Sequence, residues 1–347
     1  MSSRTVSDNP ASRQMLDAGP QPQVRSFQET LSAPALNACD APPAEEPPSF
    51  VATLPAPARN VTTPPPGGEV LHLDCTYTLL ECIGRGSFGE VWRAEAPGGL
   101  EVAVKMLRGS LALDEDRREL EALVLMRRLR HAYLVSLHGY WLMPDQLVIV
   151  MELAEGSLRG RLAECRHKGQ NGIPGEEVAR YMLEAAEALD YLHSHDVLHR
   201  DIKPENLLYQ GGHVKVADFG LSRVFEQTRG MVTTCGAGTP AYVAPEVFWQ
   251  GKVGPRSDQY SLAAAYVELR LDRVLFPDRN WSRCMTDHLR RTPDLAPLPA
   301  AEQAVLLKAL AKDTNDRFAT CSEFAREIAA CLCVQRSFPC CPLPCAD

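Results

Sequence analysis

The sequence contains no run approaching the roughly 18 to 20 consecutive apolar residues of a membrane-spanning helix. That sets aside an integral helical membrane protein. Positive charge is not in excess: 36 basic against 44 acidic residues give a net charge of -8, the reverse of what a chain-wide nucleic-acid binder needs. Residues 1–14 are polar and lack the apolar core of a secretory signal, so the expected location is cytoplasmic. No internal repeat is visible. Aromatic residues are scarce at the start: residues 1–74 hold only Phe27 and Phe50, and no lysine. The same stretch carries 13 of the 27 prolines. Proline removes backbone donors and favours extended chain, so 1–74 reads as a disordered Pro/Ala-rich leader. Such a leader is either a plain solvated segment, the reading favoured here, or a docking tail for a partner.

What is present is globular. With 45% hydrophobic residues among 347, the rest of the chain has apolar material for a core, and its length fits about two folding units. Short β-like runs occur at 77–80, 91–94, 102–104, 134–137 and 147–151. A helical pattern at 114–130 places Leu120, Leu123 and Leu129 on one face. After Pro174 the pattern is mainly helical, over 176–194, 257–270, 300–312 and 321–333. The expected fold class is α+β: a five-stranded sheet with one helix at about 75–153, then a mainly helical lobe at about 154–332. A Cys/Pro-rich tail follows at 333–347. Five of the 12 cysteines fall in the last 17 residues, without regular zinc spacing or a nearby histidine, and the tail reads as floppy.

Four groups of residues carry chemistry. Gly84-Arg85-Gly86-Ser87-Phe88-Gly89 lies between two strand-like runs, so it is a hairpin turn in which glycines let backbone amides approach phosphates; alone it is a weak signal. Lys105 ends the run Val102-Ala103-Val104-Lys105. A charge at the end of an apolar strand needs an anion, whether a phosphate, a carboxylate or both. His199-Arg200-Asp201-Ile202-Lys203-Pro204-Glu205-Asn206 and Asp218-Phe219-Gly220 place two carboxylates, an amide and a lysine on two loops. Asp218 and Asn206 offer hard oxygen ligands for Mg²⁺. Asp201 is left to orient or deprotonate an attacking hydroxyl, and Lys203 to neutralise phosphoryl oxygens.

With Ala244-Pro245-Glu246 also in order, the chain resembles the eukaryotic-like protein kinases over about residues 77–332, and most of all their bacterial branch. The resemblance implies a bilobal kinase fold and ATP-dependent phosphoryl transfer to Ser/Thr hydroxyls of proteins, with Mg²⁺ or Mn²⁺. Lys203 and the segment from Gly238 to Glu246 indicate the Ser/Thr class, with Thr239 bonding to Asp201 and Lys203. The resemblance also implies that Asp258 braces the catalytic loop and that Arg317 pairs with Glu246. It makes Met151 the gatekeeper and gives the backbones of Glu152 and Ala154 to adenine, with Val91, Ala103 and Leu208 around the ring. Lys105 would contact the α/β-phosphates and pair with a helix glutamate. The usual position, nine residues before His131, is Ala122; Glu119, one turn earlier on the same face, is the preferred partner and Glu121 the fallback. Arg200 would receive an activation-loop phosphate at Thr233 or Thr234, with Thr228 a weaker candidate. A nucleotide-responsive pseudokinase scaffold would lack part of the set Lys105, Asp201, Asn206 and Asp218. An aminoglycoside-type phosphotransferase would lack the segment 239–246.

Overall fold

The computed structural model describes residues 69–73, 75–86, 89–108, 117–143, 146–220, 240–248, 253–278 and 280–332. All belong to the second of the two units into which the chain divides, 61–347.

Period-two alternation builds the first layer. Strands β1 (Glu69–His72), β2 (Thr76–Gly86), β3 (Gly89–Ala96), β4 (Leu100–Arg108), β5 (Leu137–Met143) and β6 (Gln146–Glu152) form an antiparallel sheet in the order β1-β2-β3-β4-β6-β5. Successive side chains point to opposite faces. Ala103, Leu107, Leu147, Ile149 and Met151 therefore join the main core, while Val102, Val104, Val148 and Val150 join a second apolar cluster on the other face. Helix α1 (Arg117–Arg128) supplies Leu123 and Met126 to the main core.

The sheet has six strands where five were expected. The sixth is β1, inside the stretch read as leader, paired from Glu69↔Leu79 to His72↔Thr76. Leu71 and Leu73 pack against the second apolar cluster, so a short run with little strand signal of its own gains burial at a ready-made edge. The strand expected at 134–137 is also displaced. It starts at Leu137, because the preceding residues are taken by the second lobe: Val135 N donates to Val216 O at 3.0 Å and Val216 N to Tyr133 O at 2.8 Å.

The second lobe is mainly helical. Strand β7 (Gly156–Ser157) leads into α2 (Leu158–His167), where the Ser157 hydroxyl accepts from Gly160 N, an N-cap. Helix α3 (Gly175–Ser194) carries Glu176 and Glu177 in its first turn, where acidic groups suit the helix dipole. Strands β8 (Leu207–Gln210) and β9 (His213–Val216) pair with β7 in a small sheet. Helices α4 (Pro245–Phe248), α5 (Pro255–Leu271), α6 (Trp281–Arg290), α7 (Ala300–Ala309) and α8 (Cys321–Cys331) follow. Helix α5 is buried over most of its length, from Ser257 to Leu269, and is the spine on which α3, α7 and α8 pack. No helix among the described residues is long and apolar enough to cross a membrane.

Candidate active site

The inner face of the large sheet carries the first half of the site. Strand register sets Val91 opposite Lys105, Lys105 opposite Ile149, and Ala103 opposite Met151, so the alternation that fills the core also aims Lys105 inward. Gly84 and Gly86 pair with Val91 and Gly89 across the hairpin. Gly89 is needed for space: at φ +154°, a Cβ there would overlap the carbonyl oxygen of Met106. The tip residues Ser87 and Phe88 lie outside the described residues. Met151 lines a small pocket together with Met126, Ile149, Asp218 and Phe219.

Lys105 Nζ donates to Asp218 Oδ2 at 2.6 Å, with side chains 15% and 26% exposed. Burial, the largest influence, would raise the Asp218 carboxyl, but the charge and hydrogen bond of Lys105, with smaller help from Lys203, hold it below the usual carboxylate range. Asp218 has φ 61°, a left-handed backbone uncommon outside glycine, and its neighbour Phe219 is buried in the core. Gly220 follows at φ +72°, where a Cβ would stand 3.2 Å from Met126 Sδ. Glu119 and Glu121 belong to α1, but their side chains lie outside the described residues.

The second half is the loop between α3 and β8. Lys203 Nζ donates to Asp201 Oδ2 at 2.6 Å, and Asn206 Nδ2 donates to Asp201 O at 2.7 Å and to Oδ2 at 3.0 Å. With its amide nitrogen spent on Asp201, Asn206 offers Oδ1 as an acceptor. A carboxylate held ionised and an amide oxygen are the hard donors that a small divalent cation takes, so Asp218 and Asn206 fit such an ion. His199 Nε2 lies 2.8 Å from Ala217 O and its Nδ1 accepts from Asp201 N at 3.3 Å. Those partners require the neutral Nε2–H tautomer.

The loop is held from beneath. Asp258, 1% exposed, accepts from His199 N at 2.9 Å and Arg200 N at 2.8 Å; Arg200 itself has φ 65°. His193 Nε2 lies 2.8 Å from Asp258 Oδ2, and His193 Nδ1 lies 3.8 Å from Asp190 Oδ1. Asp190 in turn accepts from Cys321 N and Ser322 N, both at 3.0 Å, at the start of α8. Burial opposes a charge on His193, but the two carboxylates override it and raise its pKa to about 9. Arg159 ties the same loop sideways: Nε to Glu205 at 2.9 Å, Nη1 to Glu268 at 2.6 Å and Nη2 to the Tyr242 hydroxyl at 2.7 Å. Arg317 meets Glu246 with two hydrogen bonds of 2.9 and 2.8 Å, and Ser257 Oγ adds a third at 2.6 Å.

The structure thus brings together Lys105 with Asp218, and Asp201 with Lys203 and Asn206. It places Glu152 at the end of β6 and Ala154 just after it, with Leu208 in β8 opposite Ser157 of β7. Thr228, Thr233, Thr234 and Thr239 lie outside the described residues. Sequence reasoning missed His193 and Arg159. The position of His193, six residues before His199 in the last turn of α3, was a usable signal; Arg159 has none, because its partners are 46, 83 and 109 residues away.

Comparison with known proteins agrees with this geometry. Residues 77–336 match the family described as protein kinase domain. Serine/threonine-protein kinase PknF of Mycobacterium tuberculosis is 32% identical over 272 residues, covering 73% of this chain and 55% of that protein. Protein kinase C of Drosophila melanogaster is 30% identical over 259 residues, covering 73% and 34% respectively. The chain spans about half the length, or less, of these relatives. The solved kinase domain of Mycobacterium tuberculosis PknI superposes with a TM-score of 0.58 at 29% identity, covering 73% of this chain and 95% of that one. The ordered motifs, the paired site residues and these matches agree: the chain belongs to the protein kinase family, among the bacterial-type serine/threonine kinases.

Proposed function

We propose that the protein transfers the γ-phosphoryl group of ATP to serine or threonine hydroxyls of proteins, its own activation segment included, in the cytoplasm. The observation that carries this reading is the cluster of Asp201, Lys203 and Asn206 on one loop, joined to the Asp218 segment by Ala217 N, which donates to Asn206 O at 2.9 Å. Phosphoryl transfer passes through a loose transition state, so the protein's task is positioning and charge stabilisation. Lys105 contacts the α/β-phosphates, with Glu119 as its helix partner. In the resting state Asp218 keeps the ammonium in place. Adenine bonds to the backbones of Glu152 and Ala154, between Val91 and Ala103 above and Leu208 below, with Met151 behind it. Asp218 and Asn206 would hold Mg²⁺, which when bound would neutralise phosphate charge. The same hard oxygen donors also suit Mn²⁺. Asp201 orients the acceptor hydroxyl and takes its proton, and Lys203 faces the transferring group. The acceptor segment docks along Thr239. The Pro-rich leader offers extended segments to a docking partner.

The test is transfer of labelled phosphate from ATP to mixed protein substrates, with phosphoamino-acid analysis of the products. The wild type should label serine and threonine. Asp201→Asn should lower the rate by several orders of magnitude, at about 1.4 kcal/mol of lost transition-state stabilisation per decade, with an unchanged melting temperature. A wild type that binds nucleotide but labels nothing refutes the proposal.

A further inference from the structure

The hinge acid Glu152 has a partner that the reaction scheme leaves unused. Lys215 Nζ donates to both carboxylate oxygens of Glu152, at 2.9 and 3.0 Å. Both side chains are 18% exposed, so the pair is shielded more than a surface ion pair. Glu152 is also tied to Ser136: its amide donates to Ser136 O at 3.0 Å, and its Oε1 accepts from Ser136 N at 2.6 Å. These bonds fasten the entry to the hinge, and Lys215 supplies the countercharge from the other lobe.

Lys215 stands at a junction. It lies in β9 directly opposite Leu208 of β8, the residue placed beneath the adenine ring. It is three residues before Asp218 in the sequence, and Val216 N between them is held by Tyr133 O at 2.8 Å. One ion pair therefore joins the hinge peptide, the floor of the adenine site and the strand leading to Asp218.

We propose that Lys215 is a positioning residue for the nucleotide, one that holds the hinge at Glu152 over the β8–β9 floor and so sets ATP affinity without taking part in transfer. The inference rests on the kinase reading, because Glu152 and Leu208 matter only if adenine lies between them. Without Lys215, the half-buried Glu152 carboxylate keeps its hydrogen bond from Ser136 N but loses its countercharge and turns toward water, moving the carbonyl that adenine needs. A neutral side chain at 152 has no such need. Loss of Lys215 should therefore be milder when Glu152 is also replaced by Gln.

The experiment uses the full chain and a fluorescent ADP analogue, with KM for ATP and kcat measured alongside. Lys215→Met should weaken analogue binding and raise KM by roughly 5- to 20-fold, the range expected from losing a hydrogen-bonded charge partner, with kcat kept within about twofold. Lys215→Arg should restore affinity, since a guanidinium can serve the same carboxylate bidentately. Lys215→Met/Glu152→Gln should bind better than Lys215→Met alone. The proposal is overturned by unchanged analogue binding in Lys215→Met, by a fall in kcat with KM unchanged, or by affinity losses that simply multiply in the double variant. If Lys215→Met does not fold, the Arg and double variants decide: both should bind close to the wild type, and a loss of affinity in either as large as that expected of Lys215→Met refutes the role. A wild type that fails to bind the analogue instead counts against the kinase reading itself.

Discussion

Replacing His193 by Gln should change the pH dependence of stability in one direction only. His193 sits between Asp258 and Asp190 with its side chain 8% exposed, and its pKa is raised from 6.5 to about 9. A folded-state pKa above the unfolded value adds stability that is full below the unfolded pKa and is lost as pH rises through the folded one. The window is therefore pH 6.5 to about 9. A shift of that size corresponds to about 3 kcal/mol at roughly 1.4 kcal/mol per pH unit. The lowered pKa values of Asp190 and Asp258 express the same contacts from the other side and are not added again. His199 also faces Asp258, and Cys321, beside Asp190, is pushed well above its ordinary range by burial, so its thiol does not titrate in this window. The assay is chemical denaturation of the wild type and His193→Gln at half-unit steps from pH 6 to 10. The stability gap should be largest near pH 6.5 and close toward pH 10. A gap that stays constant across the series would falsify the charged bridge and leave a neutral hydrogen bond in its place.

Two other substitutions test the frame around the site. Arg317, whose side chain is fully buried against a Glu246 that is 10% exposed, also donates to the carbonyls of Ala311, Arg256 and Lys312; Arg317→Met strands a buried carboxylate at a cost of about 3–5 kcal/mol, and calorimetry should show the melting temperature falling by on the order of 10 °C. A drop of under two degrees means the pair is dispensable. Gly89→Ala puts a methyl group into Met106 O and should cost about 1–3 kcal/mol in hairpin strain, read as weakened ATP binding; unaltered affinity shows that the hairpin yields at no cost.

How much of this was legible in the sequence depends on the range of the forces involved. Strands β2 to β4 and β6 were visible because burial on both faces of one lobe selects β-branched and apolar residues locally. Helix α3 was visible because its buried residues repeat at helical spacing. Helices α2 and α6 were not: α2 buries only Leu158, Leu162 and Cys165, and α6 only Cys284 and His288. Strand β1 escaped because four residues after a Pro-rich stretch owe their conformation to the neighbouring edge. Strand β5 was misplaced because 133–136 look β-like but bond to β9 and the hinge. Among site residues, those whose chemistry demands one residue type in a fixed motif could be named. Of the residues that hold them, Asp258 and Arg317 could be named from the family pattern, but Arg159 and Lys215 could not, since they meet partners with which they share no local pattern.

The two kinds of residue differ in what they tolerate. In the proposed scheme Asp201 and Asp218 act through a carboxylate at one point in space, and φ values of 65° at Arg200 and 61° at Asp218 show that the backbone is bent to put them there. Such strain, of order 1–3 kcal/mol per residue, persists only where neighbours over-determine it. The Asp258 carboxylate, with hydrogen bonds to the amides of both His199 and Arg200, is what fixes the first of these bends, and His193 supplies the charge that keeps that carboxylate ionised in the core. The second bend is fixed by Lys105 on one side and by Phe219 buried on the other. The geometry of the candidate site is therefore a property of the buried network beneath the loop as much as of the motif residues on it. For that reason substitutions at His193 or Arg317, which the scheme keeps clear of ATP, belong in any account of how this site works.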